Sequence, residues 1–456
     1  MSADSLALDQ DTIAAIATPS GRGGVSVIRV SGPEAKTISE RLTKRTLQIR
    51  QPVLSKFFGA DGHIIDEGLA LVFEGPASFT GEDVAEFHGH GGVVVTNLLL
   101  EACLSLGARL ARPGEFSERA FLNNKLDLAQ AEGLADLIDA PTAEAARQAS
   151  ASLQGVFSNA VNEFNQKVID LRVYVEASID FPEEEIDFLS EGGVVDSLLN
   201  LKNEIDGLIQ QARRGALMSR GAQIVMTGAP NAGKSSLMNR LANQAVAIVT
   251  DIPGTTRDVI RQSIAINGVA IQLSDTAGIR SASDEIEREG IQRAQAELER
   301  ADIIIEVIDD TALEEIGFTR ENHSQPLIRV LNKSDLSSRA PGWVTSPENE
   351  SHSVTIAASA VTGEGITELE EAILQQLGLG DASATTPFSA RERHVSCLMR
   401  AAGMLEDSID RFKASQAGEL LAEDLKNMHT ELAAITGTVG ADDLLGEIFS
   451  SFCIGK

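Results

Sequence analysis

Gly228-Ala-Pro-Asn-Ala-Gly-Lys-Ser-Ser236 is the stretch on which the fold turns. It matches the phosphate-binding pattern G-x-x-x-x-G-K-[ST] at every fixed position, follows an apolar strand expected over 223–227 and opens a helix expected from Ser235. Backbone N–H groups of such a loop, with the start of the next helix, receive the phosphates of a nucleoside triphosphate. Asn231, Ala232, Gly233, Lys234, Ser235 and Ser236 are the candidate contacts; Lys234 reaches the β/γ-phosphates and the Ser235 hydroxyl holds Mg²⁺. Further strands expected at 270–274, 303–308, 327–331 and 354–358, with helices between, predict a doubly wound parallel sheet up to about residue 377.

Three downstream segments choose the nucleotide. Asp275-Thr276-Ala277-Gly278 ends the second strand, where an acid supports the Mg²⁺ shell and the Gly278 N–H meets the γ-phosphate. Asn332-Lys333-Ser334-Asp335 ends the fourth strand, and a carboxylate at Asp335 accepts from guanine N1–H and the 2-amino group, a donor pair adenine lacks. Ala358-Ser359-Ala360 offers backbone N–H to guanine O6. Together these predict GTP. Thr250, Asp251, Ile252, Pro253, Gly254, Thr255 and Thr256 lie where a switch segment belongs, and either threonine of Thr255-Thr256 could ligate Mg²⁺. Ile279 stands where Ras-like switches carry a water-orienting Gln. Asp284, Glu285, Glu287 and Glu289 follow it, and Arg257 and Arg280 are candidate arginine fingers more simply read as surface charges.

A chain of 456 residues holds two to four domains. Its net charge of −29 is uneven: residues 1–125 hold 12 Lys+Arg against 15 Asp+Glu, a net of −3, and the rest carries about −26. An acidic body repels polyanions at long range, so RNA contact would need the N-terminal region or a basic partner. Cys103, Cys397 and Cys453 lie far apart with no CxxC spacing, against a zinc finger or structural disulfides. No apolar run is long enough to span a bilayer and no signal peptide is legible, so a cytoplasmic protein is expected.

Residues 1–125 read as mixed α/β, with strands at 25–30 and 68–73 and a helix over 93–106. His88 and His90 read as part of a glycine-rich loop, and Asp180–Asp187 as a solvated turn with Pro182 opening a helix. Helix dominates from Asp127 to about Arg214 and from about Arg391 to Phe452. The simplest organisation is an N-terminal domain (1–125), a helical domain in two parts (126–219 and 381–456) and a nucleotide domain (220–380) inserted in it. Two unrelated helical segments are the alternative.

The chain also resembles a family along its whole length. Asp11-Thr-Ile13, Pro19-Ser-Gly-Arg-Gly-Gly24, Ser78-Phe-Thr-Gly-Glu-Asp83, Arg112-Pro-Gly-Glu-Phe-Ser-Glu-Arg-Ala-Phe121, Lys125-Leu-Asp-Leu-Ala-Gln130, Ile179-Asp-Phe-Pro182, the GTP motifs and Phe449-Ser-Ser-Phe-Cys-Ile-Gly-Lys456 are similar to the MnmE (TrmE) family of tRNA-modification GTPases. The resemblance implies a homodimer formed through a folate-binding-like N-terminal domain that holds a one-carbon tetrahydrofolate (5-formyl or methylene). It implies a flavoprotein partner, MnmG (GidA), supplying FAD in a heterotetramer or larger assembly. The implied activity is K⁺-dependent GTP hydrolysis coupled to placing a carboxymethylaminomethyl or aminomethyl group on the wobble uridine of certain tRNAs. Carried over by motif, Asn231, Thr250, the Ile252 carbonyl and Thr255 hold K⁺; Ser235 and Thr256 hold Mg²⁺; Glu287 orients the water. Arg29, Glu86, Lys125 and Lys456 contact folate; Cys453 reads as a small apolar filler, with a role near bound folate the alternative. Pro253 departs from the family's usual Ala and stiffens the K⁺ loop. The competing reading is a GTP switch of the Era or Der type that assembles ribosomal RNA; a one-carbon enzyme acting alone is a third.

Overall fold

The computed structural model describes residues 11–180, 193–244, 246–247, 261–275, 296–312, 325–345, 353–380 and 387–438, with Leu445, Ile448, Phe449, Phe452 and Gly455 beyond. The chain divides into two compact units: Met1–Ala135 with Val161–Val173 and Ala422–Lys456, and Asp136–Ala160 with Tyr174–Leu421.

In the first unit come β1 (Ile13–Ile16), β2 (Ser26–Ser31), α1 (Ala35–Thr43), β3 (Val53–Phe58), β4 (Ile64–Phe73), β5 (Val84–Gly89), α2 (Val93–Ser105), β6 (Arg109–Leu110) and α3 (Glu115–Leu122). They form a sheet of order β3-β4-β5-β2-β1-β6, antiparallel except for β1 with β6. β1 reads Ile-Ala-Ala-Ile because both its faces are covered. Ala14 joins Ile28, Val30, Ile38, Phe57, Phe87 and Leu99 on one side, while Ile13 and Ala15 meet Ala111 and Phe116 on the other. Phe57 and Phe87 meet edge to face at 5.7 Å within the larger core. His88 lies within β5, opposite Leu69 of β4, which corrects the glycine-rich loop expected there. The alternation of Ala85, Phe87 and Gly89 inward sets that strand, and Gly91 and Gly92 mark only its exit.

The helical stretch is α4 (Leu128–Asp139), α5 (Ala143–Leu153), α6 (Val156–Asp180) and α7 (Val194–Arg220). Then follow β7 (Ala222–Thr227), α8 (Lys234–Gln244), β8 (Val246–Ala247), β9 (Arg261–Ile266), β10 (Val269–Asp275), β11 (Ile303–Asp309), β12 (Leu327–Asn332), β13 (Gly342–Thr345), β14 (Ser353–Ala358) and α9 (Ile366–Gln376). The sheet order is β13-β14-β12-β11-β7-β10-β9-β8; β14, β12, β11, β7 and β10 run parallel, with antiparallel strands at the edges. Its parallel strands are buried along nearly their whole length, from Ile224 through Ile305, Val330 and Ile356. Chain order reverses at β7, between β10 and β11, so the loop leaving β7 sits at the topological switch point where such sheets bind ligands.

The last helices, α10 (Glu392–Ser415) and α11 (Gly418–Thr436), divide the helical stretch expected from about Arg391 to Phe452. Gln416 adopts φ 52° and closes α10, its N–H donating to Phe412 O at 2.8 Å. The left-handed residue and the following Gly418 stop the helix although the apolar spacing continues. A second stop comes at Gly437, φ 78°. Within the second unit α10 packs along α7, Ser152 Oγ donates to Ser389 O at 2.8 Å, and Arg391 pairs with Asp136 at 2.7 Å. Within that unit α5 and α7, from before the nucleotide sheet in the chain, thus contact α10 and the residues leading into it, from after the sheet. No helix among the described residues is long and apolar enough to cross a membrane.

Candidate functional site

The loop after β7 is shaped by close backbone approach. Gly228 has φ 137°, and any Cβ there would collide with the Val307 carbonyl oxygen of β11. Gly233 has φ 95°, and a Cβ would strike the Asn332 side chain. Both positions require glycine, which leaves a cradle of bare backbone. Asn231 stands exposed between them at φ 67°. Lys234, only 6% exposed, donates from Nζ to Gly228 O and Ala229 O, each at 2.9 Å, and so spans the loop from the first turn of α8. Ser235 and Ser236 are exposed beside it.

Asn332, at the end of β12, joins this loop to the next. Its Nδ2 donates to Ala232 O at 2.8 Å and its Oδ1 accepts from Ala360 N at 3.1 Å, with the side chain buried. Lys333, at φ 68°, pairs with Asp309 at 2.5 Å. Burial opposes the Asp309 charge, but Lys333 and the Thr311 donors prevail and hold its carboxyl below the usual range. Asp335 is exposed and accepts from Ser359 Oγ at 2.6 Å; Ser359 in turn accepts from Thr362 N at 3.1 Å. Asp275 is buried at the end of β10, beside Met226 of β7.

Phosphate loop, Asp275, Asn332-Lys333-Asp335 and Ala358-Ser359-Ala360 thus gather at the C-terminal ends of the parallel strands. The fold and the site define a phosphate-loop GTPase. Thr250, Asp251, Ile252, Pro253, Gly254, Thr255, Thr256, Arg257, Thr276, Ala277, Gly278, Ile279, Arg280, Asp284, Glu285, Glu287 and Glu289 lie outside the described residues, as do Pro182, Cys453 and Lys456. Arg240 of α8, whose guanidinium donates to the Ala360 and Val361 carbonyls, and Asp309 carry no signal in the sequence. Nothing in their spacing marks them, since each acts through a partner far along the chain.

In the first unit, Arg29 and Glu86 face each other across β2 and β5 and pair at 2.9 Å. The Arg29 guanidinium lies 5.4 Å from the Phe79 ring and 5.8 Å from that of Phe116. His88 Nε2 lies 3.3 Å from the other Glu86 oxygen, whereas His90 pairs with Asp66. Lys125 Nζ donates to Pro76 O at 3.0 Å, on the loop that carries Phe79. The Arg112–Phe121 motif proves to hold a buried charge cluster. Glu115, 0% exposed, accepts from Arg109 at 2.6 and 2.8 Å, from the Arg112 N–H at 2.7 Å and from Arg119 at 3.1 Å. Arg119 also reaches Asp11 and Glu82. Burial alone would raise the Glu115 carboxyl, but these donors outweigh it and hold it at about 2.

Comparison with known proteins gives the family. Residues 12–125 match the model described as GTP-binding protein TrmE N-terminus, and residues 128–453 match MnmE helical domain. The tRNA modification GTPase MnmE of Stutzerimonas stutzeri is 50% identical over 98% of this chain and 99% of its own length. That of Pseudomonas syringae pv. syringae is 49% identical over 98% and 99%. Among solved structures, the G domain of the T. maritima FeoB iron transporter aligns with 34% of this chain and 98% of its own at 24% identity and TM-score 0.24. The chain belongs to the MnmE family of tRNA modification GTPases.

Proposed function

We propose that this chain is a K⁺-activated GTPase acting on tRNA in the cytoplasm. As a homodimer with a flavoprotein partner (MnmG/GidA), which carries the FAD, it helps place a carboxymethylaminomethyl or aminomethyl group on C5 of the wobble uridine, using a one-carbon tetrahydrofolate. The observation that carries this reading is 50% identity along 98% of the chain to a protein named as a tRNA modification GTPase. The domain limits proposed with it are 1–125, 126–219, 220–380 and 381–456.

The residues present fit the groups proposed. The bare cradle at Gly228 and Gly233 suits phosphate, and the exposed Ser235 suits Mg²⁺ together with Thr256. Mg²⁺ and K⁺ would supply positive charge beside the phosphates when bound. K⁺ would be held by Asn231, Thr250, the Ile252 carbonyl and Thr255, and Glu287 would orient the water that Ile279 cannot. Lys234 binds the phosphates, and the Asp335 carboxylate reads the base. Arg29, Glu86, Lys125 and Lys456 are the proposed folate contacts; the first two form an ion pair beside Phe79, an arrangement suited to a flat, polar-edged ring.

Nucleoside mass spectrometry of tRNA from a strain lacking the protein is the test, with GTP turnover compared in KCl and NaCl. Loss of the modified wobble uridine and faster turnover in KCl are expected. Unaltered tRNA combined with tight binding to ribosomal subunits would replace this reading with that of an assembly factor.

A further inference from the structure

We propose that Arg240 is a positioning residue for base recognition: from the helix that follows the phosphate loop, it clamps the loop that reads guanine and thereby sets nucleotide residence time and base selectivity. The proposal rests on the reading of Ser359-Ala360 as the base loop.

The Ala360 peptide is held from two directions. Its N–H donates to Asn332 Oδ1 at 3.1 Å, and its carbonyl accepts from Arg240 Nε at 2.9 Å. A terminal nitrogen of the same guanidinium donates to the next carbonyl, that of Val361. Ala360 is 8% exposed and Val361 73% exposed, so the clamp sits where the loop leaves the protein for solvent. A guanidinium can bridge two consecutive carbonyls because its donors are fixed in one plane; an ammonium of similar charge presents a single centre.

Position on α8 gives the clamp its consequence. α8 starts at Lys234, beneath the phosphates, and Arg240 lies six residues further on, roughly 9 Å along the axis. One helix thus touches the bound nucleotide's surroundings twice, at the phosphate end through Lys234 and at the base end through Arg240. Asn332 makes the parallel connection through the loop backbone, from Ala232 to Ala360. With Arg240 removed, the phosphate cradle keeps its own bonds from Lys234, while the Ala360 carbonyl loses a charged donor and the base loop is held at Ala360 by the Asn332 bond without the clamp.

The test uses the full chain with fluorescently labelled GDP, displaced in turn by GDP, ADP and inorganic tripolyphosphate, for wild type, Arg240→Ala and Arg240→Lys. In Arg240→Ala the GDP affinity should fall on the order of tenfold to a hundredfold, the loss of a charge-assisted bond. GDP release should quicken, preference for GDP over ADP should narrow, and tripolyphosphate should bind as in wild type. Arg240→Lys should recover only a small part of this and serves alone if the alanine variant does not fold. Equal weakening of GDP and tripolyphosphate, no change in either, or wild-type behaviour of Arg240→Lys each overturns the clamp. Asp335→Asn separates the two levels. If it fails to shift preference from GDP to xanthosine diphosphate, the base-loop reading falls and the clamp with it; if it shifts while Arg240→Ala changes nothing, only the clamp falls.

Discussion

The nucleotide pocket and the charge cluster around Glu115 solve the burial of polar groups in opposite ways. In the pocket, neutral backbone groups are tied by single side chains such as Asn332, and two glycines keep the backbone bare. In the cluster, Glu115 is enclosed by the charged groups of Arg109 and Arg119, with Asp11 and Glu82 behind them. The first arrangement leaves bare backbone open to a ligand at Gly228 and Gly233. The second consumes its donors internally, which suits a structural clasp. A polar site built to bind and one built to hold thus differ in whether bare backbone or a knot of opposite charges occupies the centre.

The sharpest way to break this comparison is Glu115→Ala, which takes from Arg109 and Arg119 the buried carboxylate they share, leaving them Asp11 and Glu82, and should cost about 3 kcal/mol of stability in urea unfolding. The same clasp predicts a pH dependence. The folded carboxyl titrates near 2 against an ordinary 4.5, so its contribution is complete above about pH 4.5 and is lost as pH falls toward 2. The loss is on the order of 3 kcal/mol. Glu115→Gln should flatten that acid limb in a stability–pH series. Lys234→Ala should lower GTP turnover on the order of a hundred- to a thousandfold while unfolding changes much less, because the charge serves the ligand. Asn332→Ala should weaken GDP binding by about 2 kcal/mol in calorimetry, since it frees both Ala232 O and Ala360 N. Lys125→Ala should shift stability by less than about 0.5 kcal/mol, its bond to Pro76 O being exposed. A folate titration of that variant then reports on ligand binding with little change of fold.

The same contrast explains what could be read in advance. Phosphate and guanine impose residue types at fixed spacing, so Gly228, Lys234, Asp275, Asn332 and Asp335 were legible, as was the alternation that places them on one edge of a parallel sheet. Arg240 was not, because its partners Ala360 and Val361 lie 120 and 121 residues away and any residue offers a carbonyl. Glu115 and Arg119 stand at the legible i,i+4 spacing within α3, but Arg109 of β6 and the Asp11 and Glu82 carboxylates that back the arginines are joined to them by no spacing rule. β9 is a different omission. Asn267 and Gly268, at φ 48° and 84°, form the two-residue turn that returns β9 antiparallel to β10, and an Asn-Gly pair between alternating runs is a hairpin signal that could have been used. The break at Gln416 gave no comparable sign, since a left-handed glutamine has no composition cue.

The bond between Ser152 and Ser389 spans 237 positions of the chain. During synthesis at 5–20 residues per second, the first helices of the second unit leave the ribosome roughly 10–50 s before their partners are made. Over that interval the whole nucleotide sheet emerges with its own hydrophobic core, so it can close while the helices around it are still waiting. The order of translation therefore allows the nucleotide sheet to close before the contact between Ser152 and Ser389 can form.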